Sequence, residues 1–327
     1  MMLNRKNFIK QSILSSLALA VSGPLTSYAE KRSEANPSLL KRKFTMQLNG
    51  GLIGVKADQS KLIGLAYENG FETVVALPQY LSKLSDIQAK DLVEGMKAKK
   101  LAFGMGELTI EFRKSEEIFK KGVAALPAKC AALQRVGVTR SMTWIMSNHS
   151  ELNYLQNFRL HTTRLCEIAK ILNDYGIRFG LEYVGPKSIW SANKFPFIHT
   201  MAETRELIAA IGQPNVGIHL DTAHWFTAGE TIENLLSLTN HEVVGCDLND
   251  AVKGITPIED QPGYHRKLPA ATGVIDTKAF LEALITIGYD GFVQAEPFND
   301  ELNQLEDRPA VQKTAEAMRK AFALISS

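Results

Sequence analysis

Four carboxylates stand where strands of this chain should end. They lie in Phe179-Gly180-Leu181-Glu182-Tyr183, Gly217-Ile218-His219-Leu220-Asp221, Gly245-Cys246-Asp247-Leu248-Asn249-Asp250 and Phe292-Val293-Gln294-Ala295-Glu296-Pro297. Strand interiors disfavour Asp and Glu, and an unpaired buried carboxylate is costly. Any one of them alone reads as a salt-bridged strand end. Four converging on one place would repel one another strongly, and a bound divalent cation is the simplest compensation.

Such a cluster needs a frame that brings distant segments together. Apolar, β-rich runs recur at 45–48, 73–77, 101–105, 141–146, 177–183, 216–220, 243–248 and 292–295. Between them lie segments of helical period, such as 85–100, 116–136 and 153–175. In the last, Leu155, Phe158, Leu165, Ile168 and Leu172 recur at spacings of three, four and seven. Glycines close several helices, at Gly70, Gly137, Gly176, Gly212 and Gly288. Strands alternating with helices predict parallel βαβ units, and eight of them predict an α/β fold, a single (β/α)8 TIM barrel over 44–327. A doubly wound sheet competes, but no strand–GxGxxG–helix fingerprint is present. In a barrel the chemistry sits at the C-terminal ends of the strands, where these carboxylates fall.

Composition narrows the field. The 327 residues are 45% hydrophobic and 22% charged, with 3 Cys and a formal charge of +2. That excludes a disordered chain, a collagen, a disulfide scaffold and a CxxC site. It offers no electrostatic case for nucleic-acid binding. Residues 1–29 carry Arg5, Lys6 and Lys10, then an apolar run over 13–21, then Ser27-Tyr28-Ala29. This is the order of an export signal, with a run too short for an ordinary membrane span. Cleavage after Ala29 would leave 34 basic and 35 acidic residues, a charge of −1. Residues 30–43 read as a flexible mature N-terminus. A periplasmic protein without stable membrane insertion is expected, and a homo-oligomer is compatible with the sequence. Asn4-Arg5-Lys6-Asn7-Phe8-Ile9-Lys10 resembles a twin-arginine signal with Lys6 in place of the second Arg; a general secretory signal is the alternative.

From about residue 44 to 325 the chain resembles the sugar isomerase/epimerase barrels of the xylose-isomerase-like superfamily. Glu182, Asp221 and Glu296 match metal ligands that those relatives carry after strands five, six and eight. Asp221-Thr222-Ala223-His224 matches an Asp-x-x-His motif whose His contacts substrate. Residues 266–276, from Arg266-Lys267-Leu268-Pro269 to Asp276, look like the Arg-x-Leu-Pro-Gly-x-Gly-x-x-Asp loop, with Ala270 and Thr272 departing from it. At strand seven the relatives commonly place a His as ligand, and Asp247 stands there instead. The resemblance thus implies one divalent ion held by Glu182, Asp221, Asp247 and Glu296. An all-carboxylate set favours Mn2+ or Mg2+, with Co2+ and Zn2+ as further candidates. The other reading makes Asp247 a residue behind the ligands.

The resemblance also implies the chemistry. The ion would polarise a sugar carbonyl, and Glu182 and Glu296 would act as the catalytic acid/base pair on the neighbouring carbon. His224, His265 and Arg266 are the candidate substrate contacts, and the substrate is a small carbohydrate. For His265 an exposed loop residue is the equal alternative, and for His219 core packing is the simpler reading. Gln47, Asn49, Glu107 and Trp144 stand at predicted strand ends and could line the mouth. The long segment 185–199, with Trp190, Phe195 and Phe197, reads as a lid or binding loop.

Three other functions compete. A metal and a base beside a ketone could also eliminate a glycosidic group, which makes a lyase acting on oxidised glycosides the main alternative. The endonuclease branch of the superfamily uses a His-rich site, whereas this chain has 7 His, few of them at strand ends. A carbohydrate-binding protein without catalysis would not need both glutamates.

Overall fold

A computed structural model describes residues 41–326. The expected export signal and the N-terminal stretch as far as residue 40 lie outside the described residues.

Eight parallel strands close into a barrel. They are β1 (Thr45–Leu48), β2 (Thr73–Ala76), β3 (Ala102–Glu107), β4 (Arg140–Trp144), β5 (Arg178–Glu182), β6 (Val216–Asp221), β7 (Val243–Leu248) and β8 (Phe292–Ala295). Each pairs with the next, and β8 returns to β1 with Thr45 opposite Phe292. The expected (β/α)8 barrel is therefore the observed fold. Strands β6 to β8 are buried along their length, as strands packed on both faces must be.

The helices start where local chemistry starts them. Ser85 and Asn153 each open a helix with a capping box, pairing with Gln88 and Gln156 three residues on. The helix Tyr154–Asp174 buries Leu165, Ile168 and Leu172 as its period predicts. Its first turns differ: Leu155 is 65% exposed, and Asn157, His161 and Arg164 are buried instead. They lie against the loops at the barrel mouth, where Arg164 donates to the carbonyls of Phe112 and Lys114 at 2.7 and 2.6 Å. Arg164 thus meets polar loop backbone, while His161 packs against the rings of Phe112 and Phe197.

The segment 185–199 is built rather than loose. It holds a short helix, Lys187–Trp190, and a short strand, Phe195–Pro196, paired antiparallel with Asn148–His149.

Candidate active site

Glu182 closes β5, Asp221 closes β6, Asp247 is next to last in β7, and Glu296 follows β8. Register explains their convergence. Asp221 is opposite Asp247, and Asp247 is opposite Gln294. All four carboxylates are buried, Asp221 and Asp247 completely.

They fall into two adjoining groups. One ligand atom from each of Glu182, Asp221, His224 and Glu296 lies within 4.8 Å of the others. The same limit holds among Glu182, His219 and Asp247. Glu182 belongs to both groups. The structure thus brings Glu182, Asp221 and Glu296 together and adds His224. Asp247 adjoins them through Glu182 and faces His219.

The upper group is tightly held. Asp221 caps the helix Thr222–Thr227, its Oδ1 accepting the backbone N–H of His224 at 2.9 Å. That bond fixes His224 over the strand ends. Asp221 Oδ2 accepts from Asn249 Nδ2 at 2.7 Å and from Arg266 Nη1 at 3.0 Å. Arg266 Nη1 also reaches Glu296 Oε2 at 3.1 Å, and Nη2 lies 3.0 Å from His224 Nε2. Gly185 leaves room for this packing: a Cβ there would stand 2.5 Å from the His224 carbonyl oxygen.

The lower group is open. Glu182 Oε1, both oxygens of Asp247 and both ring nitrogens of His219 are buried with no hydrogen-bond partner. His219 Nε2 comes within 3.0 Å of Asp247 Oδ1, but without hydrogen-bond geometry. Gly245 makes room for the ring, since a Cβ there would stand 2.4 Å from His219 Nδ1. Orphaned buried carboxylate oxygens are rare and costly. Oxygens and imidazole nitrogens left open at one place are donors that a divalent cation takes. The residues present fit such an ion.

Electrostatics follow from burial. Burial, reinforced by Glu296, Asp221 and Asp247, holds the Glu182 carboxyl well above the ordinary carboxylate range. Burial and Asp247 do the same to Glu296, against the pull of Arg266. Burial and Arg266 push His224 well below its ordinary value, so its imidazole is neutral. Burial works against the charge of Arg266, but the surrounding carboxylates outweigh it and raise its pKa.

A cavity of about 240 Å3 opens above these groups, lined by Trp144, Glu182, His224, Arg266, Glu296 and Phe298 among others. Arg266 enters it from the 263–276 loop, as the sequence suggests. His265, its neighbour, turns away: its side chain is 66% exposed and pairs with Asp300 at 2.7 Å. Gln47 is buried lower in the barrel and donates to Gln294 Oε1 at 2.6 Å.

The residues that hold these ligands escape sequence reasoning. Asn249 reaches Asp221, and its own Oδ1 accepts from Thr222 Oγ1 at 2.9 Å. Strand alternation places Asn249 on the inner side with Asp247 but does not name its partner. Asp250 accepts the N–H groups of Ala251, Thr272, Gly273 and Ile275 at 2.7–3.1 Å. It thereby shapes the loop that carries Arg266.

The fold has known counterparts. An inosose isomerase of Bacillus subtilis is 27% identical over 164 residues, covering 49% of this chain and 55% of that protein. One from Bacillus velezensis is 28% identical over 157 residues, covering 48% and 52%. The chain spans about half the length of the curated relatives it matches. Among solved structures, a xylose isomerase domain protein from Alicyclobacillus acidocaldarius superposes with a TM-score of 0.73 at 26% identity, over 87% of this chain and 100% of that one. The IolI protein with a bound zinc atom gives 0.69 at 20% identity, over 86% and 98%, a likeness of fold. The model of the xylose isomerase-like TIM barrel family matches residues 63–321, nearly the whole closed barrel and every carboxylate of the site, and the chain belongs to that family.

Proposed function

We propose that this chain is a divalent-metal-dependent sugar isomerase or epimerase that moves a proton on a carbon beside a carbonyl. The observation that carries this reading is a pair of buried glutamates, Glu182 and Glu296, lining one cavity together with His224 and Arg266. The inosose isomerases among its relatives, and the D-psicose 3-epimerase whose fold it shares at a TM-score of 0.62, support the class of reaction.

The residues divide the work. His224 and Arg266 take hydroxyl oxygens of the sugar and orient its ring. Glu182 and Glu296 exchange a proton with the carbon beside the carbonyl. Their raised pKa values let one carry a proton while the other is ionised, the arrangement an acid/base pair needs. Glu182, Asp221, Asp247 and Glu296 would hold the ion, with His219 behind Asp247. That ion would polarise the carbonyl and steady the negative oxygen formed beside it. Mn2+ fits an oxygen-rich set flanked by imidazoles, and Mg2+ is next.

We also read residues 1–29 as an export signal, which would put the barrel in the periplasm among extracellular carbohydrates.

Proton NMR in D2O tests the activity. Metal-loaded protein is incubated with ketoses and aldoses. Deuterium entering the carbon beside the carbonyl, with a new epimer or isomer appearing, is the expected result. Metal-loaded protein that exchanges no such proton in any sugar overturns the reading.

A further inference from the structure

Beside the cavity that holds the two glutamates lies a second hollow of about 220 Å3. Met146 lines both. The linings of the two meet at two further points. Arg113, on the far side, stacks its guanidinium 4.1 Å from the ring centre of Trp144, on the near side. Asn148, on the far side, donates to the carbonyl of Ile189, on the near side, at 2.6 Å.

The second hollow is lined by polar groups held in set orientations. His149 Nδ1 accepts the N–H groups of Glu151 and Leu152 at 3.0 and 2.9 Å, which places the ring proton on Nε2. Asn193 donates to Asn148 Oδ1 at 2.6 Å and ties the 185–199 segment over the hollow. Beneath lie Asn157 and His161, on the stretch of helix that buries polar residues where its period predicts apolar ones. Both are at least 97% buried, and Asn157 Oδ1 and His161 Nε2 have no partner. His161 Nδ1 faces the Asn157 carbonyl at 2.9 Å, so Nε2 is the accepting nitrogen. Burial brings the His161 pKa to about 4, and the ring stays neutral. Arg113 Nε is a buried donor without a partner. Unpaired acceptors and an unpaired donor on residues that line one hollow match the hydroxyl groups of a second sugar ring.

We propose that this hollow is a second carbohydrate subsite, formed by Arg113, His149, Asn157, His161 and Asn193, and that the substrate is a glycoside whose carbonyl-bearing ring occupies the first cavity. The proposal rests on the sugar-carbonyl reading of that first cavity.

Calorimetric titration of the full metal-loaded chain tests it, with D-fructose against the keto-disaccharides lactulose, turanose and isomaltulose. At least one disaccharide is expected to bind tenfold or more tightly than D-fructose. Leu160→Trp fills the second hollow without removing a hydrogen bond and should abolish that preference while leaving D-fructose affinity unchanged. Asn157→Leu should weaken only the disaccharide, with an unchanged or higher melting temperature. Disaccharides that bind no tighter than D-fructose, or a preference that survives Leu160→Trp, overturn the proposal. Deuterium exchange beside the carbonyl is read on the same samples. Its absence counts against the isomerase reading alone, because sugar binding does not require turnover.

Discussion

Glu182 and Glu296 are carboxyl groups that burial and like charge both push towards the protonated form. Replacing either by Gln keeps the shape and removes the titrating oxygen. Glu182→Gln and Glu296→Gln should each lower deuterium exchange by about 10^2- to 10^4-fold, the usual contribution of one general acid or base. Circular dichroism should be unchanged. Normal rates in either variant would remove that residue from the proton path. His161 is the opposite case, a base that burial keeps neutral, with a pKa near 4 against an ordinary 6.5. Its folded value lies below its unfolded value, so the unfolded chain takes up the proton first as pH falls. The stability it contributes is complete above pH 6.5 and is lost as pH falls towards 4, about 3 kcal/mol in all. Urea unfolding at pH 7 and pH 4.5 should show that loss, and His161→Phe should flatten it. A variant as pH-sensitive as the parent would assign the slope to other groups.

At the scale of elements, the site depends on what holds the 263–276 loop. Asp250 gathers four backbone N–H groups of that segment and its neighbour, and its own backbone pairs with Lys267 in both directions at 2.8 Å. Arg266 precedes Lys267, so the position of its guanidinium follows from Asp250. Asp250→Ala strands those donors and should cost on the order of 3 kcal/mol. Amide hydrogen exchange should rise at Thr272, Gly273 and Ile275, and substrate affinity should fall more than the rate at saturation. Slow exchange retained at those amides would show that the loop holds its shape by other means. The strands and helices around this loop were legible because they follow period and caps. Gly70, Gly137, Gly176, Gly212 and Gly288 all adopt positive φ, between 65° and 80°, at the helix ends where the sequence places them. The bonds of Asp250, Asn249 and Thr222 were not legible, because each joins loops brought together only by barrel closure. Asn157 and His161 misled the helical period for a related reason: both line a hollow, and His161 packs against Phe112 and Phe197 from distant segments, which no pattern within the helix encodes.

At the scale of the molecule, the four carboxylates come from four successive strands, β5 to β8, half of a closed barrel. Their presence was legible in the sequence because acidic residues at apolar strand ends are conspicuous. Their division into two groups was not, since it depends on His219 reaching across Gly245 to the strand beside it. Among the described residues, Arg266 is the only Lys or Arg side chain within 4.0 Å of these carboxylates, and it touches only Asp221 and Glu296. Glu182 and Asp247 lie together below, with no described Lys or Arg side chain within 4.0 Å of either. An ion placed there would join strands that unfold together, so its effect should be global. Chelation should lower the midpoint of the whole unfolding transition. Mn2+ at a hundredfold excess over its dissociation constant should add about 2.7 kcal/mol. Asp247→Asn should reduce that gain, and His219→Gln should reduce it less if His219 only backs Asp247. A metal-induced shift that is the same in Asp247→Asn as in the parent would confine the ion to Glu182, Asp221, His224 and Glu296. In that case the orphaned oxygens of Asp247 would be a buried charge that the barrel tolerates, and removing it should stabilise the metal-free protein rather than weaken the bound one.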